Sequence, residues 1–113
     1  MRTPQPYLED IYNSINKIFQ YLSEINNDKE NFLNDTSKQD AVIRRLEIIG
    51  EAAKRLEKDF KNNFPEIPWR KMAGMRDVLI HDYDEVDLEL IWEVISKDLP
   101  DLQTKLRDIN LSK

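Results

Sequence analysis

The chain has 113 residues, with 17 Lys or Arg against 22 Asp or Glu and a formal net charge of −5. Its 40% hydrophobic and 35% charged residues make it too apolar for a disordered acidic tail and too charged for a membrane span. The absence of Cys excludes disulfide scaffolds, thiolate zinc sites and Cys nucleophiles, and fits a reducing compartment.

The length predicts one domain over residues 1–113. No apolar run approaches the ~18 residues of a membrane helix. Residues Met1 to Pro6 lack the apolar region of a signal peptide, so a cytoplasmic protein without membrane contact is expected. With only Gly50 and Gly74, the chain offers no phosphate-cradling loop.

The periodicity is helical throughout. Leu8, Ile11, Ile15, Ile18, Leu22 and Ile25 step by three and four and predict a first helix, capped by Thr3 with Pro4 at its first position. Asn26-Asn27-Asp28 breaks it, and a short helical turn follows over 29–34, with Phe32 and Leu33 inward. A second long helix is expected from Thr36, where Thr36-x-x-Gln39 reads as a capping box. Its stripe is Val42, Leu46, Ile49, Ala53, Leu56 and Phe60, with Ile43, Ile48, Gly50 and Ala52 on other faces. These extra apolar and small positions predict a helix contacted from several sides, inside the fold or at a dimer interface. Phe64-Pro65-Glu66-Ile67-Pro68 ends it, and Pro68 opens a short helix expected from Trp69 to about Ile80, with Trp69, Met72 and Met75 in the core. The last helix begins near Asp87. Leu88, Ile91, Ile95, Leu99, Leu102, Leu106 and Ile109 point inward, Trp92 packs in the core, and Pro100 produces a kink. The expected architecture is an all-α bundle of four main helices plus short ones.

Charge is unevenly spread. Residues 39–76 hold nine Lys or Arg and six Asp or Glu, a net of +3, whereas 77–101 hold one Lys and nine Asp or Glu, a net of −8. A general nucleic-acid binder is basic overall. This chain can bind RNA only through a local patch, for which Arg44, Arg45, Lys54, Arg55, Arg70, Lys71 and Arg76 are candidates. The alternative is a solvated face of mixed charge.

His81 is the sole histidine, within Arg76-Asp77-Val78-Leu79-Ile80-His81-Asp82-Tyr83. Arg76 and His81 are five apart and diverge by about 140° on a continuous helix. They converge only if the helix ends nearby or a second subunit completes the site. Asp77 is four residues from His81, on the same face, where a carboxylate orients an imidazole or raises its pKa. One reading of His81 is a cation at a helix C-terminus. The other is general acid/base catalysis, with Arg76 stabilising charge on a phosphate. RNA cleavage by its own 2′-hydroxyl needs a base, an acid and a phosphate stabiliser, and no metal. One His per chain supplies one proton-transfer group, and a two-fold dimer supplies two. Zinc catalysis usually takes two or three His or Cys, and Asp82-x-Asp84 reads as an acidic turn before a helix rather than a Mg²⁺ site.

Two blocks carry a resemblance. Gln39-Asp40-Ala41-Val42-Ile43-Arg44-Arg45-Leu46-Glu47-Ile48-Ile49-Gly50-Glu51-Ala52-Ala53 resembles the central helix of the HepT-like family of the HEPN superfamily. The stretch from Ile67 through Arg76 and His81 to Tyr83 is similar to the family's Arg-x4-His-x-Tyr signature, and Val86 to Pro100 continues the likeness. The resemblance covers nearly the whole chain. It implies a single HepT-like HEPN domain and the toxin of a toxin–antitoxin pair. It further implies a metal-independent endoribonuclease with no cofactor, acting as a homodimer with the signature at the dimer cleft. Arg76 and His81 match the catalytic pair. Asp77 takes the polar position after the arginine, often Asn in the superfamily, and adds negative charge beside the phosphate. Tyr83 matches the tyrosine that the antitoxin, a minimal nucleotidyltransferase (MNT), modifies with AMP. On the residues alone, Tyr83 equally reads as a residue packing a turn. Helical domains of this superfamily also serve as non-catalytic companions of nucleotidyltransferases, and a decayed structural dimer is a third possibility.

Overall fold

Helix α1 spans Gln5–Ser23 and buries Leu8, Ile11, Ile15, Ile18 and Leu22 on one face, as their spacing predicts. The computed structural model describes residues 3–74 and 87–111. The expected cap differs: Pro4 occupies the N-cap position, without a side-chain hydrogen bond, so Thr3 does not cap the helix. After α1, Asn26 and Asn27 adopt φ of 60° and 53°, a left-handed conformation that Asn tolerates better than most residues. The Asn27 N–H returns to the Leu22 carbonyl at 2.8 Å, closing the helix end.

Helix α2, Lys29–Leu33, is capped by Asp28, whose carboxylate accepts from the Asn31 N–H at 3.0 Å. It plants Phe32 in the core with no exposed surface, while Leu33 is half-buried. Helix α3 spans Thr36–Arg55, but its cap is Asp35, accepting from the Lys38 N–H at 3.0 Å. The Thr36 capping box is therefore not formed. Gln39 instead donates through Nε2 to the Phe32 and Leu33 carbonyls at 2.9 and 3.1 Å, the former also accepting from the Asp35 N–H at 3.2 Å.

Helix α1 packs chiefly on α3. Val42, Leu46, Ile49 and Ala53 form the buried stripe of α3, joined by Gly50 and Ala52. The apolar spacing suggested that α3 continues through Phe60. It ends earlier: Leu56 and Glu57 turn extended, with ψ of 138° and 147°, and a separate helix α4, Lys58–Asn62, follows. Spacing alone could not show the break, because neither Gly nor Pro marks it.

Residues 69–74 are helical (α5) at the end of the first described stretch. Trp69 and Met72 are buried in the core, and Met75 lies outside the described residues. Helix α6, Leu88–Glu93, starts after Asp87, whose carboxylate accepts from the Leu90 N–H at 3.1 Å. A π-helical turn over Val94–Asp98 joins it to α7, Leu99–Leu111. There the Leu99 N–H reaches back five residues to the Val94 carbonyl. The chain thus stays helical through Pro100, and its irregularity is this widened turn. A proline lacks an N–H and crowds the carbonyl four residues back, here that of Ser96, and one extra residue in the turn relieves that crowding. The insertion also brings Val94 inward beside Ile95. Trp92 is half-buried, its ring 5.6 Å from that of Phe32.

The described residues are all helix and connecting turns, matching the expected all-α bundle. Among them no helix is long and apolar enough to cross a membrane.

Candidate nucleic-acid interface

Among the described residues, the basic candidates do not form one patch: Arg44 and Arg55 line one cavity beside α3, and Lys54, Arg70 and Lys71 line another. The first, of about 410 Å³, lies between α1 and α3. Arg44 and Arg55 line it, opposed by Asp10, Glu47 and Glu51. Arg55 is already engaged, with Nε 2.9 Å from the Glu51 carboxylate one turn earlier. Tyr7, Ile48 and Ala52 complete the wall. Cations and carboxylates alternate here, so the cleft presents little net field to a polyanion. Arg45 is half-buried on α3 and lines neither cavity.

The second cavity, of about 790 Å³, is formed by the last turn of α3, α4 and the start of α5. It gathers Lys54, Lys58, Lys61, Arg70 and Lys71, and no carboxylate lines it. Glu57, Asp59 and Glu66 belong to the same stretch of chain and do not contribute to the lining. Lys61 is half-buried, and its ammonium donates to the Ala53 carbonyl at 3.2 Å. A cation at that point satisfies an open acceptor at the C-terminal end of α3 and meets the negative end of its dipole. Lys71 reaches Asp98 at 3.2 Å on the far side, as an exposed pair.

An aromatic cluster holds this groove in shape. The Phe60 ring centroid lies 5.2 Å from Phe64 and 6.1 Å from Trp69. The Trp69 indole N–H donates to the Phe64 carbonyl at 3.1 Å, and the Trp69 backbone N–H reaches Ile67 at 2.8 Å. Ile67 is buried beneath the turn. This packing brings Lys58 and Lys61, on α4, beside Arg70 and Lys71, on α5, across the Phe64–Pro68 turn. Lys58 and Lys61 were missed as candidates from sequence. Their signal was present in Lys54-x3-Lys58-x2-Lys61, but with α3 drawn through to Phe60 these lysines read as an ordinary solvated helix face.

The catalytic candidates Arg76 and His81, the supporting Asp77 and the modification candidate Tyr83 lie outside the described residues. In the chain, Arg76 comes two residues after Gly74, the last described residue of α5.

Residues 11–109 match the family described as Ribonuclease HepT-like. The chain belongs to that family. The match spans both described stretches and the segment between them, and it agrees with the all-helical architecture of the HEPN superfamily. Among curated relatives, the chain is similar to the probable ribonuclease HepT of Thermococcus cleftensis, with 48% identity over 108 residues covering 96% of each chain. It is 41% identical over 109 residues to a protein of Caldanaerobacter subterraneus subsp. tengcongensis that carries a provisional RNase name, again over 96% of each. A Methanocaldococcus jannaschii protein, whose name couples a gamma-glutamylcyclotransferase with a provisional RNase, is 46% identical over 103 residues. That alignment takes in 91% of this chain and 46% of the relative. No solved structure matches the chain at a significant level.

Proposed function

We propose that this HepT-like chain is an endoribonuclease that cleaves RNA without a metal at a site shared by two copies. The family match over residues 11–109 carries this reading, because the Arg76-x4-His81-x-Tyr83 signature falls inside it. In the proposed reaction a 2′-hydroxyl oxygen attacks the adjacent phosphorus while the P–O5′ bond breaks. His81 of one copy takes the 2′-hydroxyl proton, and the partner's His81 delivers a proton to the departing 5′-oxygen. The products are a 2′,3′-cyclic phosphate and a free 5′-hydroxyl. Arg76 offsets the charge that builds on the phosphoryl oxygens. Two copies are required because each chain has one histidine, and base and acid must act together.

The resemblance extends the reading to the toxin of a toxin–antitoxin pair. A minimal nucleotidyltransferase would neutralise it by transferring AMP to Tyr83. A bulky anion two residues from His81 would repel and occlude the RNA phosphate.

The decisive experiment incubates the purified protein, shown AMP-free by intact mass, with total RNA in EDTA. Wild type is expected to cleave, and His81→Ala and Arg76→Ala are expected to fail. Equal cleavage by all three overturns the reading. The net charge of −5 favours one alternative, a non-catalytic companion subunit of a nucleotidyltransferase. Nucleotide binding by the partnered complex, with no cleavage by the free protein, would select it.

A further inference from the structure

We infer that the groove formed by the end of α3, α4 and the start of α5 is a docking track for the phosphate backbone of single-stranded RNA. The inference rests on the ribonuclease reading above and adds where the substrate lies away from the cleavage point.

Three observations carry it. First, five cationic residues and no carboxylate line the groove in a chain whose net charge is −5, and of the five Lys71 pairs outward with Asp98. A concave surface of one sign focuses its field, so a polyanion repelled by the rest of the molecule is drawn here. Second, the positions are fixed. The Phe60–Phe64–Trp69 cluster locks α4 against α5, so the backbone positions that carry Lys58, Lys61, Arg70 and Lys71 are set before any ligand arrives. Third, the groove leads along the chain toward the signature, because Arg70 and Lys71 precede Arg76 by six and five residues.

The chemistry of the wall selects phosphates over bases. The Trp69 ring is buried and its N–H is committed to the Phe64 carbonyl, so it supports the wall rather than stacking a base. The groove therefore contributes affinity that tolerates any sequence, and base preference must arise elsewhere. A single strand fits better than a duplex, because in-line attack by a 2′-hydroxyl needs a backbone free to rotate.

The test uses the full chain and a 2′-O-methyl oligonucleotide that cannot be cleaved. Binding is followed by fluorescence anisotropy over a series of salt concentrations. Lys58→Glu combined with Arg70→Glu reverses two exposed groove cations. Lys17→Glu combined with Arg107→Glu makes the same charge change at exposed positions lining none of the cavities. The groove variant is expected to bind about tenfold more weakly, with the slope of log K against log salt reduced by about 1.4, and the control to bind within about twofold of wild type. Lys58→Gln with Arg70→Gln is a milder version should the reversal disturb folding, which circular dichroism reports. Equal losses in groove and control variants, or no loss in either, overturn the proposal. So does unchanged RNA binding beside lost binding of poly-glutamate, which would assign the groove to an acidic protein surface. Cleavage is scored separately. Groove-dependent binding without cleavage keeps the track and overturns the ribonuclease reading, whereas cleavage with unaltered KM in the groove variant does the reverse.

Discussion

The two cavities beside α3 differ in charge pattern although they share a helix. On the α1 side, Arg44 and Arg55 face Asp10, Glu47 and Glu51, and the Arg55–Glu51 pair closes at 2.9 Å. On the α4–α5 side, five cations stand together without an opposing carboxylate in the lining. The whole stretch from 39 to 76 has a net charge of only +3. The lesson is that net charge over a window says little about field. What matters is which residues the fold turns to the same surface, and the break after Arg55 does that turning here.

The largest expected effect tests the scaffold that both cavities share. Leu46 is 1% exposed on the buried stripe of α3. Leu46→Ala should lower stability by about 2–5 kcal/mol, measured by urea denaturation, through lost transfer energy and the cavity left behind. A loss below about 1 kcal/mol would mean that α3 is not the common support.

The next effect separates the cavities directly. Lys58→Glu alone should weaken binding of the non-cleavable oligonucleotide about fivefold at moderate salt, while Arg44→Glu should change it less than about twofold. Equal effects would erase the distinction between the mixed cleft and the basic groove.

A smaller effect concerns the far side of α1, where the Tyr12 hydroxyl donates to the Leu106 carbonyl and ties α1 to α7. Partial burial raises the Tyr12 pKa above its ordinary value, and Arg107 lowers it less. A raised folded-state pKa means this contribution is fully present below the unfolded value, about 10, and fades as pH rises through the folded value. Tyr12→Phe should cost about 1 kcal/mol at neutral pH and should remove part of the destabilisation seen in alkali. Denaturation curves at neutral and alkaline pH check both, and an unchanged alkaline response would remove Tyr12 from that titration.

The smallest effect belongs to the mixed cleft itself. Arg55→Ala breaks an exposed pair one turn apart and should cost about 0.3–0.5 kcal/mol, less at high salt. A thermal melt at two ionic strengths would show it.

Much of the fold was legible because a helix repeats every 3.6 residues and a core must be apolar. The stripes of α1, α3 and α6–α7 follow from that, as does the break at Asn26-Asn27. The caps were less legible. Thr3, Thr36 and Gln39 had the residue types of capping motifs, but Asp35 sat one position earlier, and Gln39 was drawn to the carbonyls at the end of α2. The candidate patch was half legible. Lys54, Arg70 and Lys71 stood among the basic candidates of the sequence, and Lys58 and Lys61 join them only where α4 folds against α5.

The sequence by itself determined the all-helical class, the buried faces, the family, and the signature of Arg76, His81 and Tyr83. Each of these depends on residue type and spacing along one chain. The tertiary structure alone decided where α3 stops, why Pro100 is tolerated, and which cations share a surface. Those outcomes turn on contacts between residues far apart in sequence: Phe60 against Trp69, and Lys58 beside Arg70. Local spacing cannot encode such contacts, because apolar steps of three and four fit one continuous helix as well as two helices folded against each other.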